Sequence, residues 1–152
     1  MFKQPTKWSC FPTAFANAVG MNPDDIISDL GHDGSERIND EPEPYCYKGF
    51  HPEELIRLFR HNYNKFVITF EAEPEFLVGD TSVKINCNIS FDQIVKESVC
   101  GVLAGWYYER PHAFTKLYNE LIDPKDTTRM PFEYLINLSP FTPYFYYDII
   151  SL

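Results

Sequence analysis

The amino-acid sequence predicts a single α+β domain spanning residues 1–152, in which N-terminal helices pack on an antiparallel β-sheet. Its 152 residues are 44% hydrophobic, which is enough to bury one core and too little for two domains. Apolar residues recur at helical spacing early in the chain, whereas short apolar runs bounded by turn residues follow later. Helices that come first and strands that come second are typical of the α+β class.

Two helices are predicted near the N-terminus. The first begins after Ser9, whose hydroxyl is a good N-terminal cap, and it ends at Gly20. Its buried face is predicted to consist of Phe11, Ala14, Phe15, Ala18 and Val19. The second helix begins after Asn22, which caps it, and it ends at Gly31.

A long loop is predicted over residues 32–50, because glycines and prolines interrupt this acidic stretch. A third helix then begins from His51. Its buried side is predicted to hold Leu55, Ile56 and Phe59. Two strands are predicted after it, at residues 65–71 and 83–89.

The later part of the chain is predicted to build most of the sheet. Residues 91–99 fit a short fourth helix, and the apolar run 100–106 fits a central strand. Residues 112–116 and 120–123 are predicted to pair as a hairpin around a turn at 117–119. This hairpin is the element on which most of the candidate chemistry lies.

Charge and hydropathy exclude two classes of partner. The formal net charge is −9 at pH 7, which argues against a nucleic-acid partner because such partners require basic patches. No stretch has the roughly 18 uncharged apolar residues of a membrane span, and the N-terminus lacks the apolar segment of a secretory signal. We therefore expect no membrane partner and a cytoplasmic location. The acidic segment 24–43 fits either a solvated face or a rim that attracts a basic partner.

One of the four cysteines is placed as a nucleophile. The four form no C-x-x-C pair, so free thiols are expected in the cytoplasm. Cys10 alone follows a predicted helix cap, where unpaired N–H groups and the helix dipole favour a thiolate. The other three are expected to act as small apolar residues of the interior.

The base, its orienting acid and an oxyanion donor are also predicted. His112 stands near the start of the strand that follows the central strand, and Asp123 lies eleven positions later on the returning arm. Adjacent antiparallel strands bring such residues within reach, and a carboxylate there fixes the imidazole tautomer. Gln4 precedes Cys10 by six residues and is predicted to donate its side-chain amide to the oxyanion, beside the Cys10 backbone N–H.

This arrangement resembles the papain-like cysteine peptidase superfamily, and within it most nearly the C39 and C39-like peptidases of the bacteriocin-processing type. The motif consists, in order, of Gln4, Cys10, His112-Ala113 and Asp123-Pro124. The resemblance covers residues 1–20 and 90–125. It implies a papain-like fold, a peptide or protein substrate with small residues such as Gly-Gly at the cleavage site, and no cofactor. A domain of this kind standing alone suits a bacterial or phage enzyme.

The resemblance also implies the role of each site residue. Cys10 is the nucleophile, His112 the base, Asp123 the orienting acid and Gln4 the oxyanion donor. Two features depart from the branch. Phe11 occupies the position after the cysteine where the branch has glycine, so Phe11 is expected to contact substrate and reshape the cleft. The interval from His112 to Asp123 is short, which leaves Asp126 as the alternative acid. Trp8 is expected to line the cleft.

Three alternatives stay open. The same triad would serve an acyltransferase or a deamidase. The aromatic tail from Pro131 is expected to close the sheet or pack across it, but exposure of its residues 141–147 would fit a non-catalytic binding or inhibitory protein. A metal site at Cys46, His51 and His61 has poor ligand spacing, and no metal is expected. Trp106 is expected to pack in the core, with a place in the lining of the cleft as the alternative.

Overall fold

The fold is α+β, as predicted, with helices packed on an antiparallel sheet. The structure is a computed structural model that describes residues 1–36, 49–72, 75–78, 81–84, 90–108, 110–134 and 140–151. The helices are α1 (Cys10–Val19), α2 (Pro23–Leu30), α3 (Pro52–Tyr63) and α4 (Phe91–Glu97). The strands are β1 (Lys65–Glu71), β2 (Glu75–Val78), β3 (Thr81–Lys84), β4 (Cys100–Tyr107), β5 (Arg110–Leu117), β6 (Glu120–Ile122), β7 (Arg129–Pro131) and β8 (Phe141–Ser151).

The main sheet has six strands in the order β1-β8-β4-β5-β6-β7, all antiparallel to their neighbours. The predicted hairpin is β5 with β6, and its turn carries Tyr118 at a positive φ of 52°. The aromatic tail forms β8, which lies inside the sheet between β1 and β4. Strands β2 and β3 pair as a separate two-stranded sheet.

A hydrophobic core fills each face of the main sheet. On one face the helices α1, α2 and α3 contribute Ala14, Phe15, Ala16, Ile26, Leu55 and Phe59, and the sheet contributes Val102, Ala104, Ala113, Tyr147 and Ile149. On the other face Val95 of α4 packs with Leu103, Phe114, Leu121, Phe132, Phe141 and Tyr146. Fully burying a side chain such as Phe15 contributes roughly 2–3 kcal/mol, so the first core fixes α1 on the sheet.

Local capping signals place α2 and α3 where the sequence predicts them. The Asn22 side chain accepts a hydrogen bond from the Asp24 N–H at 2.9 Å, and Gly31 ends the helix in the left-handed conformation. At the start of α3, the Glu54 carboxylate accepts the His51 N–H at 2.8 Å. Each of these contacts joins residues close in sequence, which is why they are readable from the sequence alone.

The fourth helix is shorter than predicted. It ends at Glu97, whereas the spacing of apolar residues predicts a helix through Val99. Ser98 is extended (ψ 144°) and its hydroxyl donates to Asp148 Oδ1 of β8 at 2.6 Å, while Val99 is 61% exposed. The prediction was wrong because pairing with the sheet, which begins at Cys100, overrides the local pattern.

Other predictions fall partly outside the described residues. Of the predicted loop 32–50, residues 37–48 are not described, and neither is most of the predicted strand 83–89. Two of the four cysteines, Cys46 and Cys87, belong to these ranges. Within the described ranges, none of the helices combines the length and the apolar character that crossing a bilayer requires.

Candidate active site

Cys10 is the first residue of α1, and the side chain before it does not cap the helix. The sequence predicts that Ser9 accepts a hydrogen bond from the first turn, and this is wrong. The fully buried Ser9 hydroxyl turns back instead: it donates to the Thr6 carbonyl at 2.9 Å and accepts the Thr6 N–H at 3.0 Å. The Ser9 side chain therefore does not compete for the backbone N–H groups of Cys10 and Phe11, which belong to the helix end where negative charge is favoured.

A buried hydrogen bond sets the position of α1 over β5. The Thr115 hydroxyl donates to the Ala14 carbonyl at 3.0 Å, between fully buried residues. Ala113, two residues before Thr115, packs in the same core as Ala14. Cys10 lies four residues before Ala14, so it stands about 6 Å back along the helix axis. The N-terminus of α1 is thereby held near His112.

His112 is bonded to Asp123, as the hairpin geometry predicts. Its Nε2 atom lies 2.8 Å from Asp123 Oδ1, and the two side chains are 14% and 11% exposed. The imidazole ring also packs edge-on against Phe114, with centroids 4.8 Å apart, and parallel to Tyr107 at 5.8 Å. Since Nε2 is engaged by the carboxylate, Nδ1 is the ring nitrogen that remains for the Cys10 side chain.

The pKa of His112 is raised to about 9 by the groups around it. Burial of the ring opposes its positive charge and is the largest single effect. The hydrogen bonds to Asp123 and to the Cys10 side chain, with the negative charges of both groups, outweigh that effect. The imidazolium form is therefore favoured at neutral pH.

Asp123, and not Asp126, is the carboxylate that contacts His112. Asp123 is held in a tight turn, in which its N–H donates to the Thr128 carbonyl at 2.9 Å and its carboxylate accepts the Lys125 N–H at 2.9 Å. Asp126 is exposed, and its Oδ1 accepts the Thr128 N–H at 2.9 Å. Asp123 of this turn therefore contacts His112, whereas Asp126 stabilises the turn itself.

Gln4 lies beside this turn. Its backbone N–H donates to the carbonyl of Pro124, the residue after Asp123, at 2.7 Å. Its side-chain amide donates one hydrogen to the Thr6 carbonyl at 3.0 Å, which leaves the second amide hydrogen for another acceptor. The Oε1 atom is buried and has no hydrogen-bond partner among the residues that the structure describes.

The two predicted substrate contacts differ in their surroundings. Trp8 is partly exposed, and the Lys7 ammonium lies over its ring at 4.3 Å from the centroid. Phe11 is also partly exposed, but its ring packs against Phe15 and Tyr147, at 5.7 and 5.5 Å between centroids. Phe11 is therefore anchored in the core beneath the helix, and its contact with substrate stays a prediction.

Trp106 does not pack in the core, contrary to the prediction. Ala104 is buried under α1, whereas Trp106, two residues further along the same face of β4, is 43% exposed. Trp106 is not among the residues that pack in the core beneath α1. Trp106 pairs with Pro111, the neighbour of His112. It lines an open groove of about 720 Å³ together with Tyr108, Pro140 and Thr142.

The residues considered as metal ligands and found unsuitable by their spacing form no cluster in the part of the chain that the structure describes. Cys46 lies outside the described residues. His51 precedes α3 and His61 stands in its last turn, both exposed. Ten residues of helix separate two such positions by about 15 Å, which is too far for one ion.

The comparisons with known proteins do not assign a family. No protein-family model, no curated protein and no solved structure matches this chain.

Proposed function

We propose that this chain is a cysteine hydrolase that cleaves a peptide or isopeptide bond, with Cys10 as nucleophile, His112 as acid and base, and Asp123 as the acid that orients the imidazole. The observation that carries the proposal is the His112–Asp123 pair, whose Nε2 and Oδ1 atoms are 2.8 Å apart, with the Cys10 side chain close enough to help raise the pKa of His112. A nucleophile next to a base that a third group orients is the arrangement that thiol catalysis requires.

The reaction follows from these positions. The Cys10 thiolate attacks the carbonyl carbon, a C–S bond forms, and the electron pair of the C=O bond moves onto oxygen. When this tetrahedral intermediate collapses, the C–N bond breaks and the leaving amine takes the proton of the His112 imidazolium. Water then attacks the thioester while His112 takes its proton. The C–S bond breaks, which releases the acid and restores the thiolate with a protonated His112.

The oxyanion is stabilised by donors at the start of α1. The Cys10 N–H belongs to the first turn of the helix, and Ser9 does not occupy it with a side-chain bond. The second amide hydrogen of Gln4 is the other proposed donor. Preorganised donors of this kind lower the barrier because charge develops on the oxygen only in the transition state.

The resemblance to papain-like, C39-like peptidases supports the same proposal and extends it to the fold and to the substrate. On this basis the helix and sheet arrangement is papain-like, the substrate is a peptide or protein with small residues at the scissile bond, and the enzyme acts in the cytoplasm. An acyltransferase or a deamidase would use the same triad. The three reactions differ in the leaving group and in the acceptor of the acyl group, so they are separable by product.

The test is a screen of fluorogenic peptide amides with the wild-type chain, Cys10→Ala and Cys100→Ser. Cys100 is the matched control because it is the other free thiol among the described residues and lies at the far end of β4. We expect amine release by the wild type and Cys100→Ser, no release by Cys10→Ala, and a thioester on Cys10 in the mass spectrum of the intact protein. Release of ammonia would indicate a deamidase. Consumption of the peptide only when an amine is added would indicate an acyltransferase.

A binding protein is the second candidate, because exposed aromatic residues lie together at the end of β4. Trp106 and Tyr108 are 43% and 65% exposed and share one groove, and aromatic side chains often dominate protein interfaces. If Cys10 forms no acyl intermediate and reacts like an ordinary thiol, the hydrolase proposal is wrong, and the groove becomes the surface on which to search for a partner.

A further inference from the structure

The helix that carries Cys10 also holds the N-terminal segment. Asn17 lies on α1, two turns after Cys10, and is 3% exposed. Its Oδ1 atom accepts the Phe2 N–H at 2.9 Å, and its Nδ2 atom donates to the Phe2 carbonyl at 2.9 Å. The side-chain amide thus pairs with the backbone of Phe2 as a neighbouring strand would.

The buried position of Asn17 inside a helix is explained by its hydrogen bonds. Asparagine is a weak helix former, and a buried amide costs free energy unless both of its ends are hydrogen-bonded. In this helix both ends are satisfied by a segment fifteen residues away in sequence. Phe2 itself is 42% exposed, so its ring is not what anchors the segment. The backbone clamp at Asn17 is what joins it to α1.

The clamp stands two residues from Gln4, which has an anchor of its own. The Gln4 N–H is bonded to the Pro124 carbonyl at 2.7 Å, next to Asp123. The segment Phe2–Gln4 is therefore tied at one end to the helix of the nucleophile and at the other to the turn of the orienting acid. Two anchors this close leave the Gln4 backbone little freedom relative to Cys10.

We propose that Asn17 is a positioning residue, which holds Gln4 in place as the oxyanion donor by clamping the backbone of Phe2. This inference rests on the proposed function. An oxyanion donor is effective only when it is held at the correct distance before the charge appears, and a shift of about 1 Å can cost about 100-fold in rate. A rigid link between donor and nucleophile supplies that positioning.

Two reactions of Cys10 separate this role from general damage to the site. Acylation by p-nitrophenyl acetate turns a carbonyl oxygen into an oxyanion, so it depends on Gln4. Alkylation by iodoacetamide displaces iodide at a methylene carbon and forms no oxyanion, so it reports only on the thiolate and on His112. Loss of the donor should lower the first rate and spare the second.

Substitutions at Phe2 give a matched pair that leaves the core untouched. Phe2→Pro removes the N–H that Asn17 accepts, whereas Phe2→Ala keeps it. We expect Phe2→Pro and Asn17→Ala to lower the acylation rate about 10- to 100-fold with alkylation within about twofold of wild type. Phe2→Ala should acylate like the wild type. In a Gln4→Ala background, Phe2→Pro should have no further effect, because both changes remove the same contribution.

The outcomes distinguish the two proposals. Two outcomes for Phe2→Pro and Asn17→Ala would show that Asn17 does not position Gln4: an unchanged acylation rate, or an equal loss of the acylation and alkylation rates. The same conclusion follows if Phe2→Pro lowers the acylation rate further in the Gln4→Ala background. If the wild type is acylated no faster than Cys10→Ala, the proposed function itself is wrong and the role of Asn17 is lost with it. Thermal unfolding of each variant, together with its alkylation rate, identifies a loss that comes from misfolding.

Discussion

Nε2 of His112 lies 2.8 Å from Oδ1 of Asp123, which follows His112 by eleven positions across a hairpin. The bond joins the second and third members of the candidate triad. It also determines which nitrogen of the ring is left for Cys10.

The reactivity of Cys10 should depend on His112. We expect iodoacetamide to alkylate Cys10 much faster than Cys100 at about pH 6–7, because burial raises the pKa of the Cys100 thiol and Cys10 has an imidazolium beside it. In His112→Ala the Cys10 rate should fall at least about tenfold, because the positive charge beside the thiol is removed. Peptide mapping after timed labelling measures both sites. Equal rates at Cys10 in the two proteins would remove the basis for the triad.

Asp123→Asn and Asp126→Asn form a matched pair that decides between the two candidate acids. Asparagine at position 123 still accepts the Lys125 N–H, so the turn should survive. The neutral amide no longer stabilises the His112 imidazolium, and we expect acylation to slow by about 100-fold or more. Asp126→Asn should leave the rate unchanged, because Asp126 is exposed and bonds only within the turn. If Asp126→Asn lowers the steady-state rate and Asp123→Asn does not, Asp126 is the acid that orients His112.

The stability of the fold should fall at alkaline pH through His112. Its pKa is about 9 in the folded chain, above the ordinary value of about 6.5. The stabilisation is therefore fully present below about pH 6.5 and is lost as the pH rises through about 9, with a magnitude of roughly 3 kcal/mol. Urea unfolding of wild type and His112→Gln at pH 6 and pH 10 measures it. A difference in unfolding free energy that is the same at both pH values would contradict this account.

Truncation of Leu103 should destabilise the fold much more than truncation of Trp106, although both residues lie on one strand. Leu103 is fully buried, so Leu103→Ala should lower the unfolding free energy by about 2–5 kcal/mol. Trp106 is 43% exposed, so Trp106→Ala should lower it by at most about 1 kcal/mol. If the groove lined by Trp106 and Tyr108 receives substrate, the same variant raises KM for peptide amides. A large loss of stability in Trp106→Ala would show that Trp106 is buried in the core, contrary to this account.

The helices were predictable because their signals are local. Asn22 and Gly31 stand next to the helix that they delimit, and the apolar stripe of α1 recurs within one helix. The class of the fold followed from the order of such elements. The position of β8 inside the sheet could not be predicted from that order, because it depends on pairing with β1 and β4, which are distant in sequence.

The candidate site was predictable where a hairpin or a helix end brings residues together. His112 and Asp123 meet because β5 and β6 are antiparallel, and Cys10 was placed by its position after Ser9. The predicted capping role of Ser9 was wrong, because its hydroxyl donates to the carbonyl of Thr6 in the preceding loop. The contact between Asn17 and Phe2 was missed, since a single asparagine in a helix carries no signal for a partner outside it.

The place of β8 also has a consequence for how the chain is made. This strand, the last of those described, lies between β1 and the strand that precedes the His112 hairpin. During synthesis the ribosome therefore releases β1 and the β4–β7 half of the sheet before the strand that joins them. The two halves remain separate until residues 141–151 emerge, and contacts of such long sequence separation make folding slow. The sheet that supports the thiol and the imidazole is therefore completed only after residues 141–151 have been made.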